Sequence, residues 1–155
     1  MFQLKGLLSA SRPFCIKIPI EINWFSWYIY SMKPKILIIE DNQETKELLK
    51  FTADLADCEA VTADDGVEGL EKVKTEKPDL IILDLRMPRM NGDQVLAQLL
   101  KDEATKNIPV LVSSGEPAGA DIDKIGKMAN VRGFLSKPYD TDVVLGIIKE
   151  ILPRG

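Results

Sequence analysis

Histidine is absent from the 155 residues, so any chemistry falls to acids, hydroxyls and amines. This excludes Ser-His and Cys-His catalysis and histidine-ligated metal sites. The two cysteines, Cys15 and Cys58, form no Cys-x-x-Cys zinc or redox motif. The remaining candidates follow short apolar runs and are Glu40, Asp41, Asp84, Ser113, Ser114 and Lys137. Three carboxylates, two hydroxyls and one ammonium act together only if the fold brings them to one place.

Each of these residues also has a purely structural explanation. Asp41 or Asn42 could cap a helix, Asp84 could open a turn, and Lys137 could be a solvated surface charge. The two serines could be ordinary loop residues. Chance rarely places every candidate at the same end of four different strands, however, so the set as a whole favours a functional site.

The spacing of apolar residues predicts five strands that alternate with five helices. Strands are predicted over 36–40, 60–62, 80–83, 109–113 and 131–135, and helices over 43–56, 66–77, 93–101, 122–129 and 140–152. In the last helix we expect the inner face to carry Val143, Val144, Ile147, Ile148 and Ile151. Such alternation predicts right-handed βαβ units and a doubly wound α/β sandwich. Ligands of these sheets bind beyond the carboxyl ends of the strands, where all six candidates lie.

Four segments in this order resemble the receiver domain of two-component response regulators. They are ILIIEDN at 36–42, LIILDLRMPRMNG at 80–92, PVLVSSG at 109–115 and GFLSKP at 133–138. The resemblance covers about residues 34–153, and we expect residues 32–155 to form the receiver domain. It implies a flavodoxin-like fold, with a five-stranded parallel sheet of order 2-1-3-4-5 and five helices in three layers.

The resemblance also implies roles for the site residues. Asp84 would be the phosphoacceptor, whose carboxylate forms 4-aspartylphosphate. Glu40, Asp41, Asp84 and the backbone carbonyl of Arg86 would bind Mg²⁺, with Glu40 acting through water, and Lys137 would contact a phosphoryl oxygen. A cation is needed because two unit charges 4 Å apart repel by ~4 kcal/mol even at an effective dielectric constant of 20. Many relatives have two aspartates where this chain has Glu40 and Asp41.

The conformational switch would consist of a hydroxyl and an aromatic ring. The family places the hydroxyl five residues after the proline that opens the fourth strand, which selects Ser114 after Pro109 and makes Ser113 its neighbour. The separation of 30 residues between Asp84 and Ser114 also agrees with the family spacing. Phe134 is the aromatic residue of the pattern. A phosphoryl oxygen would draw the Ser114 hydroxyl inward, and Phe134 would rotate from an exposed rotamer into the vacated space. This would favour an active face formed by the fourth helix, fifth strand and fifth helix.

Two further side chains are predicted to tune the lifetime of the phosphoryl group. In the family that the chain resembles, the side chains two positions beyond the phosphoacceptor and two beyond the switch hydroxyl flank the path of the hydrolytic water. Here these side chains are Arg86 and Glu116, which are long enough to pair across the mouth of the site. We expect them to screen that path and to lengthen the lifetime. An alternative is that they are two unrelated surface charges, since most exposed ion pairs contribute little.

Other classes of protein fit the sequence less well. It contains no Gly-x-x-x-x-Gly-Lys-Ser/Thr loop, and no Gly-x-Gly-x-x-Gly opens the first helix. A flavin-binding relative of the fold would need a hydroxyl-rich phosphate loop where Glu40 and Asp41 stand. An aspartate phosphatase usually has a second acid at the position of Arg86. A receiver-like interaction module that works without phosphorylation remains the alternative.

Without histidine, the chain requires a separate histidine kinase or histidine phosphotransfer domain as phosphodonor. The short sequence after Lys137 predicts a single-domain receiver, which is no enzyme beyond its own phosphorylation and dephosphorylation. We expect it to bind a downstream protein or to pass the phosphoryl group on in a phosphorelay. The net charge of −4 offers no basic field for DNA or a membrane surface, and a cytoplasmic location is expected.

Residues 1–31 differ in composition from the remainder of the chain. They contain seven of the ten aromatic residues but four charged residues with a net charge of +2. Lys17, Pro19, Glu21 and Asn23 interrupt the apolar run, which is unlike a spanning helix or a signal peptide. We interpret Met32 as the natural start and residues 1–31 as a non-native or loosely ordered extension. A genuine extension and a membrane or partner anchor are the alternatives.

Overall fold

The computed structural model describes residues 33–115 and 120–152, with the backbone alone at 120–122. The predicted extension therefore lies outside the described residues. Within them, five strands form the sheet: β1 (Lys35–Ile39), β2 (Glu59–Ala63), β3 (Leu80–Asp84), β4 (Val110–Ser114) and β5 (Val131–Ser136). They alternate with the helices α1 (Gln43–Leu55), α2 (Gly66–Glu76), α3 (Gly92–Lys101), α4 (Ala120–Ile125) and α5 (Thr141–Ile151). All pairings are parallel and the order is β2-β1-β3-β4-β5, which confirms the predicted fold class.

The sheet is covered on both faces, as the continuous apolar runs of its central strands predict. Side chains of β1 alternate between two buried clusters, with Leu37 and Ile39 in one and Ile36 and Ile38 in the other. The first cluster includes residues of α2 and α3, and the second includes residues of α1 and α5. Because all strand pairings are parallel, the carboxyl ends of the strands share one edge of this covered sheet.

Short polar caps begin the helices that leave this edge. The Asn42 side chain accepts a hydrogen bond from the N–H of Thr45 at 2.9 Å, so Asn42 caps α1 and Asp41 does not. Asn91 caps α3 in a reciprocal capping box with Gln94. Because Asn42 satisfies the helix terminus, the carboxylate of Asp41 has no capping role there.

The structure corrects two details of the predicted helices. The fourth helix begins at Ala120 and ends at Ile125, although the apolar spacing predicted residues 122–129; Gly126 follows its last residue, and glycine disfavours a helix interior. In α5, Val143 is 55% exposed rather than inward, because the face toward the sheet is centred on Val144 and Ile148. No helix among residues 33–115 and 120–152 has the length and apolarity required to cross a membrane.

Candidate functional site

The carboxyl edge of the sheet gathers the predicted polar residues from four strands. Glu40 and Asp41 follow β1, Asp84 is the last residue of β3, and Lys137 follows β5. The predicted serines, Ser113 and Ser114, are the last two residues of β4 and are both buried. In the sheet register Asp84 lies opposite Ser113. Residues far apart in sequence therefore meet at the edge where this fold class binds its ligands.

Three carboxylates form the acidic part of the site. Glu40 and Asp84 are 1% and 5% exposed, whereas Asp41 is exposed to solvent. One oxygen from each carboxylate can be chosen so that all three lie within 4.8 Å of one another. Hard divalent cations prefer oxygen ligands of this kind, so the donor chemistry of the cluster fits Mg²⁺.

Lys137 neutralises part of this negative charge. Its Nζ lies 2.7 Å from Oε2 of Glu40 and 2.7 Å from Oδ2 of Asp84, and donates a hydrogen bond to each. The backbone N–H of Lys137 donates to the carbonyl oxygen of Ser114 at 3.0 Å. The ammonium thus bridges the carboxylates that follow β1 and end β3, close to where a phosphoryl group on Asp84 would lie.

The surroundings of Glu40 and Lys137 shift their proton affinities. Burial raises the pKa of Glu40 above its usual value, and the opposing hydrogen bond from Lys137 does not fully offset that effect. For Lys137, burial alone would lower the pKa, but hydrogen bonds to Asp84 and Glu40 raise it above the usual value. Lys137 is therefore positively charged at neutral pH.

Backbone contacts fix the loop between β3 and α3. The N–H of Arg86 donates to Oδ1 of Asp84 at 3.1 Å, and the N–H of Gly92 donates to the carbonyl of Leu85 at 3.0 Å. A Cβ at Gly92 would lie 2.5 Å from the carbonyl oxygen of Asp84, so this close approach requires glycine. The loop after the candidate nucleophile is thus held against the last residue of β3.

An ion pair that the sequence did not indicate joins the same loop to α2. Nη1 of Arg89 lies 2.7 Å from Oδ2 of Asp65, and Oδ1 of Asp65 accepts the N–H groups of Val67 and Glu68 as the α2 cap. Asp65 is buried, and one carboxylate therefore serves two elements. Charged residues are common in turns, and no motif in the sequence indicates that Arg89 and Asp65 pair with each other.

The two serines have distinct surroundings. The hydroxyl of Ser113 is hydrogen-bonded to the hydroxyl of Tyr139, a residue that sequence reasoning did not single out. The carbonyl of Ser114 accepts from Lys137, as described above. Phe134 is half-buried against the cluster formed with α2 and α3, whereas the predicted switch starts from an exposed rotamer.

Of the two residues predicted to tune the lifetime of the phosphoryl group, the structure describes Arg86 but not Glu116. Arg86 is exposed, and its N–H contacts Asp84 as stated above. Glu116 lies outside the described residues. The pairing of these two side chains across the site therefore stays a prediction.

The class of protein is defined by a doubly wound α/β fold with clustered carboxylates and a lysine at the carboxyl edge of its sheet. The sequence pattern of the response regulator receiver domain matches residues 36–149. The chain belongs to this family, as the sequence motifs predicted.

Relatives and solved structures agree with that membership. The chain is 35% identical over 121 residues to Protein PilH of Pseudomonas aeruginosa, covering 76% of this chain and 97% of PilH. It is 38% identical over 124 residues to hybrid signal transduction histidine kinase D of Dictyostelium discoideum, covering 77% of this chain but 8% of that kinase. It spans 50% of the regulator PhoP of Bacillus subtilis. The structure of chemotaxis protein CheY4 of Vibrio cholerae matches with a TM-score of 0.70 and 27% identity, covering 77% of this chain and 98% of CheY4.

Proposed function

We propose that Asp84 accepts a phosphoryl group from a histidine on a separate protein, and that the aspartyl phosphate switches a protein-binding face. The observation that carries this proposal is the bridge from Lys137 to both Asp84 and Glu40 inside the acidic cluster. In the reaction an Asp84 carboxylate oxygen attacks phosphorus, and the bond from phosphorus to the histidine nitrogen breaks. The imidazole leaves with the electron pair of that bond.

Within this proposal, Asp41, Asp84 and Glu40, the last through water, would hold Mg²⁺. The family pattern adds the backbone carbonyl of Arg86, and the ion would offset negative charge when a phosphoryl group is present. Lys137 supplies a fixed positive charge to a phosphoryl oxygen and to the carboxylates. The N–H of Arg86 holds Oδ1 of Asp84 and so orients the carboxylate. The chain's own residues therefore bind and orient the reacting group.

The proposed response passes through Ser114 and Phe134 to a face made of α4, β5 and α5. Ser114 is buried at the end of β4, and Phe134 lies on the edge strand β5. A groove of about 580 Å³ lies on this side of the molecule between β5 and α5, and Phe134, Arg132 and Ile147 line it. A downstream protein would bind there when the active conformation is populated. The proposal includes no direct binding to DNA or to a membrane and no enzymatic activity toward a separate substrate. It places the protein in the cytoplasm.

The decisive experiment is labelling by acetyl phosphate with and without Mg²⁺. We expect labelling of the wild type that requires Mg²⁺, none for Asp84→Ala, and reduced labelling with a weaker conformational response for Lys137→Ala. Asp93→Ala is the matched control, because Asp93 is an exposed carboxylate in the first turn of α3. Equal labelling of Asp84→Ala and wild type would exclude Asp84 as the phosphoacceptor. A wild type that takes no label from acetyl phosphate in the presence of Mg²⁺ would favour an interaction module that works without phosphorylation.

A further inference from the structure

The hydrogen bond between Tyr139 and Ser113 joins the loop that carries Lys137 to the strand beside Asp84. Tyr139 follows Lys137 by two residues, and its hydroxyl contacts the Ser113 hydroxyl. Ser113 is the residue of β4 that lies opposite Asp84. Neither hydroxyl belongs to the set proposed to contact Mg²⁺ or the phosphoryl group.

Together with a backbone hydrogen bond, this bond attaches the Lys137 loop to the end of β4. The backbone bond runs from Lys137 to Ser114, and the side-chain bond joins Tyr139 to Ser113. The carbonyl of Ser113 also accepts the N–H of Leu85 at 3.1 Å, directly after Asp84. Hydrogen bonds therefore run continuously from the phosphoacceptor strand through β4 to the lysine loop.

Because both residues are at least partly buried, the hydrogen bond between the Tyr139 and Ser113 hydroxyls affects the stability of the loop. Ser113 is 1% exposed, and Tyr139 is partly buried against the cluster that contains Leu135, Val144 and Ile148. Burial raises the pKa of Tyr139 to about 12, because the charged phenolate is disfavoured away from water. A buried hydroxyl that loses its partner is costly, so the pair favours one arrangement of the loop.

We propose that Tyr139 and Ser113 are positioning residues that hold the ammonium of Lys137 between Glu40 and Asp84. Lysine has a flexible four-carbon side chain, and its ammonium occupies one place only when the backbone beneath it is fixed. Removing the hydroxyl bond leaves the ammonium in place for a smaller fraction of the time. The inference rests on the proposed function insofar as Lys137 assists phosphorylation.

The first test compares labelling rates by acetyl phosphate in the presence of Mg²⁺. Tyr139→Phe and Ser113→Ala each remove one hydroxyl, and we expect each to slow labelling about fivefold, corresponding to one net hydrogen bond. In a Lys137→Met background, Tyr139→Phe should slow labelling no further. Thr105→Val is the matched control, since it removes a buried hydroxyl that donates to the Leu99 carbonyl at 2.8 Å on another element. It should label at the wild-type rate.

The second test needs no phosphorylation. Thermal unfolding of Tyr139→Phe, Lys137→Met and the double variant should show a smaller loss of melting temperature in the double variant than the sum of the single losses. Non-additive losses in a protein that takes no label would sustain the positioning role and reject the proposed function. Additive losses together with wild-type labelling of Tyr139→Phe would overturn the positioning role and leave the proposed function intact.

Discussion

Replacing Lys137 with methionine removes the ammonium from the acidic cluster but keeps a side chain of similar length. Its Nζ lies 2.7 Å from both Glu40 and Asp84, and a unit pair at that distance attracts by ~6 kcal/mol at an effective dielectric constant of 20. Removing one partner of a buried ion pair typically costs ~3–5 kcal/mol. Because the Lys137 side chain is 25% exposed, water lowers the expected loss to roughly 2–3 kcal/mol. We expect the melting temperature to fall by about 6–15 °C.

Asp84→Asn removes a negative charge from the same cluster, so its effect on stability should differ from that of Lys137→Met. Asp84→Asn loses one attraction to Lys137, but it also relieves repulsion from Glu40 and Asp41. Carboxylate oxygens within 4.8 Å of one another repel by at least ~3.5 kcal/mol per pair at the same dielectric constant, so the two relieved repulsions offset the lost attraction. We therefore expect the free energy of unfolding of Asp84→Asn to lie within about 1 kcal/mol of the wild type.

The assay is thermal unfolding followed by circular dichroism, first with a chelator and then with saturating Mg²⁺. The metal should raise the melting temperature of Lys137→Met more than that of the wild type, because a bound cation replaces the missing positive charge. Lys106→Met is the matched control, since Lys106 pairs with the exposed Glu103 at 2.6 Å and should contribute ~0–1 kcal/mol. If Asp84→Asn unfolds at as low a temperature as Lys137→Met in chelator, the charge-balance reasoning is wrong.

Three further predictions concern the loops of the site. Arg86→Ala, Glu116→Ala and the double variant should lose the phosphoryl group faster than the wild type, because water gains access to the phosphorus; slower or unchanged decay in all three would contradict this. Gly92→Ala should destabilise the fold by about 1–3 kcal/mol and slow labelling, because its Cβ would lie 2.5 Å from the Asp84 carbonyl oxygen. The folded state holds the phenol proton of Tyr139 more tightly than the unfolded state does, since burial raises its pKa from 10.0 to about 12. The stability from this group is therefore complete below pH 10 and is lost as the pH rises toward 12, a loss that unfolding of Tyr139→Phe across this range should lack.

The glycine prediction has a matched control in α5. A Cβ at Gly146 would contact nothing within 4 Å, and the residue is exposed within a helix. Gly146→Ala should therefore stabilise the protein by about 0.5–1 kcal/mol, in the opposite direction to Gly92→Ala. If both substitutions destabilise equally, the close approach at Gly92 is not the cause.

The sequence predicted the strands of the fold and the edge where its polar residues gather. Strands buried on both faces are short, continuous apolar runs, and β1 and β3 carry that signal directly. The carboxyl ends of parallel strands share one edge, so the sequence alone predicts that Glu40, Asp84 and Lys137 lie together. The strand order came from the family resemblance, and the sheet confirms it.

Features decided by side-chain packing could not be predicted in the same way. Tyr139 and Ser113 are 26 residues apart, and nothing in the sequence pattern around them indicates that their hydroxyls form a hydrogen bond. Val143 is apolar and belongs to an amphipathic pattern, yet the orientation of α5 against the sheet leaves it exposed. Such contacts depend on how a helix rotates against the sheet, and periodicity identifies only a broad apolar stripe on the helix.

The hydrogen bonds of Lys137 span long stretches of the chain. Its ammonium is separated by 97 residues from Glu40 and by 53 residues from Asp84. During synthesis from the N-terminus, both acids are made well before the lysine that compensates them. Closing such long intervals is paid for in chain entropy, so the charge balance arrives only with the last strand of the sheet. A chain that has formed β1 and β3 but not yet β5 therefore holds these two acids without the lysine that compensates them. Under the proposed function, such a chain would gain its capacity for phosphorylation only once folding has finished.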